Sequence, residues 1–231
     1  MIPLHDDNPT TLTPVLTIGF IVVCSLVFFW QLSLGPDVQR AVLSLGLIPA
    51  VLFGVEQLPP ELVVVPPVLT VFTSMFLHGG WMHLIGNMLY LWIFGNNVED
   101  SMGHARFFLF YFLSGTAAAM AQALSAPGSA VPMIGASGAI SGVLGAYLML
   151  YPHARVLVVV PLGFFLYTVR VPAIVVLGFW FVLQIINSAA AAGGGEEGGV
   201  AWGAHIGGFI AGMVLIPFFT RHRLGILDYF R

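Results

Sequence analysis

Gly135-Ala136-Ser137-Gly138 lies in an apolar run that ends at Tyr151, and Ala204-His205-Ile206-Gly207-Gly208 lies just inside a second run, from Trp202 to Phe219. Each run is close to the length of a membrane span, so a serine and a histidine stand at membrane depth. Polar and ionisable groups are costly there, and a histidine at such depth is read by default as functional. Serine and histidine together are also the smallest nucleophile-and-base pair for acyl transfer.

Working outward, composition fixes the class of protein. Of 231 residues, 58% are hydrophobic and 7% charged, where a soluble domain carries about 25% charged residues. The mean hydropathy is +0.97. This is the composition of a multi-pass membrane protein, expected to be all-α and to form one domain over residues 1–231. There is no lysine, and the net charge of −3 offers no basic face for nucleic acid. A single cysteine, Cys24, cannot form an intrachain disulfide. Residues Met1 to Thr13 carry Asp6 and Asp7 but no Lys or Arg, so the first apolar run is expected to stay as a helix rather than be removed as a signal peptide.

Hydropathy places six spans, at Pro14–Leu32, Trp81–Gly95, Arg106–Leu124, Met133–Tyr151, Val171–Ile186 and Trp202–Phe219, with Val68–Leu77 leading into the second. Val38–Phe53 is interrupted by Arg40, Gly46 and Pro49 and runs into the proline-rich Gln57–Pro67, which predicts a partly inserted loop. Val156–Tyr167 has about a dozen residues with Pro161 inside, and reads as an interfacial piece.

Six spans with both termini in the cytoplasm put Arg106, Arg155, Arg221, Arg223 and Arg231 inside, Arg170 near an inner end, and only Arg40 outside, as the positive-inside rule requires. Glu196-Glu197, in the loop Gly193–Gly199, falls outside. The expected location is a cell membrane, plasma or inner. In this topology spans two, four and six run inward in parallel, with His83 and Asn87, Ser137, and His205 near their starts. These residues share one depth near the outer face, with His205 about 5 Å into its helix.

Glycine spacing says which helices touch. Pairs four apart occur at Gly138/Gly142, Gly203/Gly207 and Gly208/Gly212, and such pairs let two backbones approach closely, within one bundle or between copies. His83 and Asn87, also four apart, share one helix face. Two donors side by side, with the free amide of Ser137 at a helix N-terminus, are the parts of an oxyanion hole.

Three blocks now stand in order: Phe76-Leu77-His78-Gly79-Gly80-Trp81-Met82-His83-Leu84-Ile85-Gly86-Asn87 with Phe94-Gly95-Asn96-Asn97-Val98-Glu99-Asp100, then Gly135-Ala136-Ser137-Gly138, then Ala204-His205-Ile206-Gly207-Gly208. Together they resemble the rhomboid intramembrane serine proteases, from about Thr70 to Phe219. The resemblance implies a six-transmembrane-helix bundle with a partly inserted first outer loop, cutting single-pass transmembrane substrates near the outer face without cofactor or metal. It implies Ser137 as nucleophile, His205 as general base and acid, and His83, Asn87 and the Ser137 amide as oxyanion donors. His78, Gly135 and Gly138 would support the site. Two positions depart from the family pattern. Leu69-Thr70 stands where many members have Trp-Arg, and Ser141 stands where an aromatic often packs on the catalytic histidine, so this histidine must be oriented by something else.

Each residue also has a plainer reading. Ser137 fits a helix N-cap, and His205, His83 and Asn87 fit polar contacts between helices. Glu99 and Asp100 read as caps for the next helix near Arg106, and Phe179-Trp180-Phe181 as lipid-facing packing. Other protease chemistries fit less well: there is no lysine for a Ser-Lys pair and no H-E-x-x-H. His78 and His83, five apart, sit roughly 140° apart on a helix. Every aspartate lies in a terminus or loop of this reading. The alternative of another class is a non-catalytic membrane protein that binds transmembrane helices. Natural substrate and oligomeric state are not written in the sequence.

Overall fold

The computed structural model describes residues 2–163, 165–192 and 200–221. A short strand β1 (Ile2–Asp6) precedes the apolar helix α1 (Val15–Ser33). The first long loop holds three brief helices, α2 (Val38–Leu45), α3 (Pro49–Leu52) and α4 (Thr70–Thr73). Then come α5 (Trp81–Met102), α6 (His104–Ser125) and α7 (Ser137–Leu150), a hairpin of β2 (Arg155–Leu162) and β3 (Phe165–Pro172), α8 (Ala173–Ala192) and α9 (Trp202–Phe219). The six longer helices, α1 and α5 to α9, answer to the six expected spans. Four of them, α1, α6, α8 and α9, meet the length and hydropathy of a membrane crossing by themselves. The protein is an integral, multi-pass membrane protein of mostly helical fold.

The second span differs in shape from its expectation. The segment Pro60–Phe76 does not lengthen α5 upward; it meets α5 at an 81° bend, where Gly79-Gly80 breaks the helix. Instead α5 runs on past Gly95 to Met102. Glu99 and Asp100 therefore sit inside its last turns and cap a different helix from the one expected. Buried Glu99 accepts the amides of Leu16 and Thr17 at 2.9 and 2.8 Å and the Thr17 hydroxyl at 2.7 Å. Asp100 takes the amides of Thr11 and Leu12 and the Thr11 hydroxyl, each at 2.9 Å. These carboxylates serve the start of α1, where free N–H groups and the helix dipole favour negative charge. Only Gly103, at φ +79°, separates α5 from α6, a conformation costly for residues with a Cβ.

The stretch expected to be interfacial forms part of a three-stranded antiparallel sheet in the order β1-β2-β3. The β2-β3 register runs from Arg155↔Pro172 to Leu162↔Phe165, and β1 adds on the other side at Ile2↔Val159. A strand needs cross-chain partners, and one of them here comes from the far N-terminus, which periodicity within 156–167 cannot reveal. Val156 and Val158 are fully buried, and buried Asp6 accepts a hydrogen bond from the Tyr147 hydroxyl near the end of α7. This sheet, the α5-α6 turn and the end of α9 share one end of the bundle: Arg221 N donates to Ser101 O at 3.0 Å, and Arg106 reaches the Phe219 carbonyl at 3.3 Å. Glu196-Glu197, Arg223 and Arg231 lie outside the described residues.

At the other end the first loop is stitched to the chain ahead of α7. Leu47 and Met133 exchange two backbone hydrogen bonds at 3.0 and 2.7 Å, Ala50 N donates to Ser129 O at 3.0 Å, and Gly135 N donates to Ser74 O at 2.8 Å. Leu47 and Ala50 are fully buried, while Val63, Val64 and Val68 are exposed. The loop is thus embedded along one side, and α2, with eight residues, is too short to add a span.

The glycines bring α7, α9 and α6 into backbone contact within one chain. A side chain on Gly208 would collide with the Gly138 carbonyl, one on Gly212 with the Gly142 backbone, and one on Gly145 with the Phe209 carbonyl. Gly203 and Gly207 turn toward Gln122 and Ala121 of α6. Gly212→Val should therefore force α7 and α9 apart. We expect a loss of about 1–3 kcal/mol or more, read as a lowered unfolding temperature in detergent, whereas Gly86→Val, whose Cβ would meet nothing within 4 Å, should lower it far less.

Candidate active site

α7 has 14 residues, about 21 Å of helix against a hydrocarbon core of about 30 Å. A helix this short cannot cross that core by itself, and its first residue is Ser137. The helix is entered from Gly135 at φ +123°, a backbone conformation that glycine adopts at little cost. No side chain caps α7, so the N-cap reading of Ser137 does not hold. Its hydroxyl and amide are free of that duty, and the first amides of the helix face outward along its axis.

A cavity of about 1100 Å³ opens above this point and is lined by His83, Asn87, Ser137, Trp180 and His205. Among the described residues, no Asp, Glu, Lys or Arg lines it. His83 and Asn87 are on the first turns of α5, as expected. A Cβ placed on Gly135 would lie 2.6 Å from His83 Nε2 and 3.7 Å from Asn87 Nδ2, so both side chains converge two residues before Ser137. The Gly79 amide donates to His83 Nδ1 at 3.2 Å. That leaves Nε2 of a neutral ring as the N–H donor facing Gly135. Asn87 Nδ2 is buried and has no hydrogen-bond partner, contrary to a role as glue between helices. An unpaired buried donor costs about 1–3 kcal/mol, and one aimed at the cavity is suited to a ligand oxygen.

His205, in the first turn of α9, is 9% exposed. Its Nδ1 lies 2.8 Å from Gln184 Oε1 on α8. Trp180, one turn before Gln184, and Trp202 flank the ring at centroid distances of 5.8 and 6.0 Å. Gln122 of α6 holds the start of α9 by accepting the Ala204 amide at 3.3 Å. Ser141 supplies no aromatic packing; its hydroxyl bonds back to the Ser137 carbonyl at 2.6 Å. Ser137 and His205 line the same cavity, and no hydrogen bond between their side chains is among those of the described residues. In enzymes without substrate such bonds are often long and tighten on binding.

His78 stands behind the site. It is 2% exposed, exchanges hydrogen bonds with Gln31 of α1 at 2.9 and 3.2 Å, and packs edge-on against His83 at 5.1 Å. Trp180 and Gln184 were not among the sequence candidates. Of the aromatic cluster only Phe179 is strongly exposed, while Phe181 stacks on Phe209 at 4.5 Å. The signal for Gln184 was present as a lone amide one turn beyond a tryptophan in an apolar span, but its partner lies 21 residues away on another helix.

Comparison with known sequences follows the same blocks. A family model described as Rhomboid domain matches residues 66–222. The chain belongs to the rhomboid family. Rhomboid relatives include Rhomboid protein 1, mitochondrial, of Saccharomyces cerevisiae, 32% identical over 63% of this chain and 40% of the relative. Rhomboid-like protein 11, chloroplastic, of Arabidopsis thaliana is 30% identical over 68% of this chain and 54% of the relative. Rhomboid protease GluP of Bacillus subtilis is 36% identical over 62% of this chain and 25% of the relative. The chain thus spans about half or less of the length of each. Rhomboid proteins are typically intramembrane serine proteases, though some members are inactive.

The rhomboid cavity depends on the missing side chain at Gly135. Gly135→Ala would bring a methyl group against His83 Nε2 and strain a positive φ. If the cavity binds a carbonyl oxygen, this variant should lose binding or turnover of a transmembrane reporter by about tenfold or more, as read by cleavage or crosslinking. Gly79→Ala, whose Cβ comes no closer than 3.7 Å to a neighbour, is the matched control.

Proposed function

We propose that this rhomboid protein is a serine endopeptidase that hydrolyses a peptide bond of single-pass transmembrane proteins. The observation that carries the reading is the convergence of the His83 and Asn87 side chains on Gly135 beside the free N-terminus of α7, at the cavity that Ser137 and His205 also line. Ser137 Oγ attacks the scissile carbonyl carbon while His205 Nε2 takes its proton. The carbonyl oxygen becomes an oxyanion, held by His83 Nε2–H, Asn87 Nδ2–H and the Ser137 amide. As the C–N bond breaks, the His205 imidazolium gives the proton to the leaving amine. Water, activated by the same imidazole, then hydrolyses the acyl-enzyme.

Neutral groups suit this setting, because a charge enclosed at this depth is far costlier than a dipole. His78, Gly135 and Gly138 serve as supports: His78 backs His83, Gly135 leaves room for the oxyanion, and Gly138 lets α9 approach α7. The bundle end with Arg106, Arg155, Arg170 and Arg221 faces the cytoplasm, which sets the cavity near the outer face. Both termini are cytoplasmic in this arrangement.

Ser137→Ala and His205→Ala should each abolish cleavage of a labelled single-pass reporter by purified protein in liposomes. Asn87→Ala should lower kcat by about 10²–10³-fold, the usual effect of losing one oxyanion donor. Cleavage retained by Ser137→Ala would overturn the mechanism, and cleavage stopped by a metal chelator would replace it with metal chemistry.

A further inference from the structure

The dyad proposed above has no carboxylate, and among the described residues no Asp or Glu lines its cavity. In the Ser-His-Asp arrangement the third residue accepts a hydrogen bond from Nδ1–H, which keeps the proton on Nδ1, leaves Nε2 free to act as base and holds the ring in place. Ser141 also stands where an aromatic could have packed on the ring. Something else must select tautomer and rotamer.

We propose that Gln184 is the positioning residue of His205, a neutral substitute for the carboxylate of a catalytic triad, and that it works with Trp180 from one face of α8. The assignment follows from hydrogen-bond chemistry. Gln184 Nε2 donates to the Trp180 carbonyl at 2.9 Å, and a carbonyl can only accept. The amide orientation is thereby settled, and the atom 2.8 Å from His205 Nδ1 is the acceptor Oε1. Nδ1 must then carry the ring proton, and Nε2 of the neutral imidazole keeps its lone pair. His83 is arranged the other way, with Nδ1 accepting from the Gly79 amide and Nε2 protonated. One histidine of the cavity is thus set as a donor and the other as a base, each by a neutral group on its Nδ1.

Burial makes the arrangement strong. Gln184 is 5% exposed, so water competes little for its carbonyl, and a buried acceptor left without its partner is costly. The indole of Trp180, tilted 35° to the imidazole, closes one side of the ring. Because both residues are on α8, His205 is held by a helix that carries none of the other proposed catalytic groups.

This inference rests on the protease reading for its catalytic consequence, but its structural core can be tested without activity. Nitrogen NMR of histidine-labelled protein, with the His205 signals assigned by their loss in His205→Asn, reports which ring nitrogen is protonated. We expect the Nδ1–H tautomer in the native protein, and a mixed or Nε2–H population in Gln184→Met, which keeps the shape but loses the acceptor. With a reporter substrate, Gln184→Met should lower kcat about 10- to 100-fold at unchanged KM and unchanged unfolding temperature. Gln184→Glu, which retains an acceptor at the same reach, should recover at least tenfold of that loss. An unaltered tautomer in Gln184→Met, an Nε2–H tautomer in the native protein, or equal losses of kcat in the Met and Glu variants would each overturn the assignment. If Gln184→Met does not fold, the native tautomer and the Glu variant still decide. A native Nδ1–H tautomer in a protein that cuts no reporter would leave the positioning role standing and remove the protease reading.

Discussion

The fold turns on the direct backbone contact between α7 and α9. Gly208 rests on the carbonyl of Gly138, and Gly212 rests on the backbone of Gly142. In a membrane there is little hydrophobic drive between apolar helices, so close packing of small residues carries the association. That contact brings the starts of two helices together, and with them the short side chains of Ser137 and His205. Gly203 and Gly207, a quarter turn away on α9, meet α6. The central helix is therefore clasped from two sides and leaves α8 on the outside.

A second constraint is economy of charge. Among the described residues the cavity is lined by histidines, amides and hydroxyls but no ionic side chain, whereas Glu99, Asp100, Arg106 and Arg221 work at the opposite end, capping helices and tying turns. Full charges are affordable near water and costly at depth. Polar duties inside are therefore met by neutral groups whose roles are set by single backbone or amide contacts: Gly79 for the His83 ring, the Phe76 carbonyl for the His78 ring and Gln184 for the His205 ring. The first loop serves the same site from the side, because Leu47 and Ser74 hold the chain that leads into Ser137.

The sequence showed all six helices and the correct starts of α5 and α9, because runs of apolar residues report burial in lipid directly. It also grouped His83, Asn87, Ser137 and His205, which line one cavity in the structure, because helix direction and rise turn residue number into height. It did not show where α5 ends, since polar Asn96, Asn97, Glu99 and Asp100 resemble a loop until one sees Thr11 and Thr17 beside them. Nor did it show the sheet, whose first strand comes from Ile2–Asp6 and pairs with residues 150 or more positions away.

Composition and local pattern alone determined that this is a multi-pass membrane protein, and the three ordered blocks determined its resemblance to the rhomboids. Both are properties of neighbouring residues, and the free energy of placing each segment in lipid is nearly a sum over that segment. Tertiary structure decided how His205 is held, which helices the glycines join, and what Glu99 and Asp100 cap. Those outcomes depend on contacts between side chains on different helices, at distances of about 3 Å, and no one-dimensional pattern specifies which distant residue will arrive there.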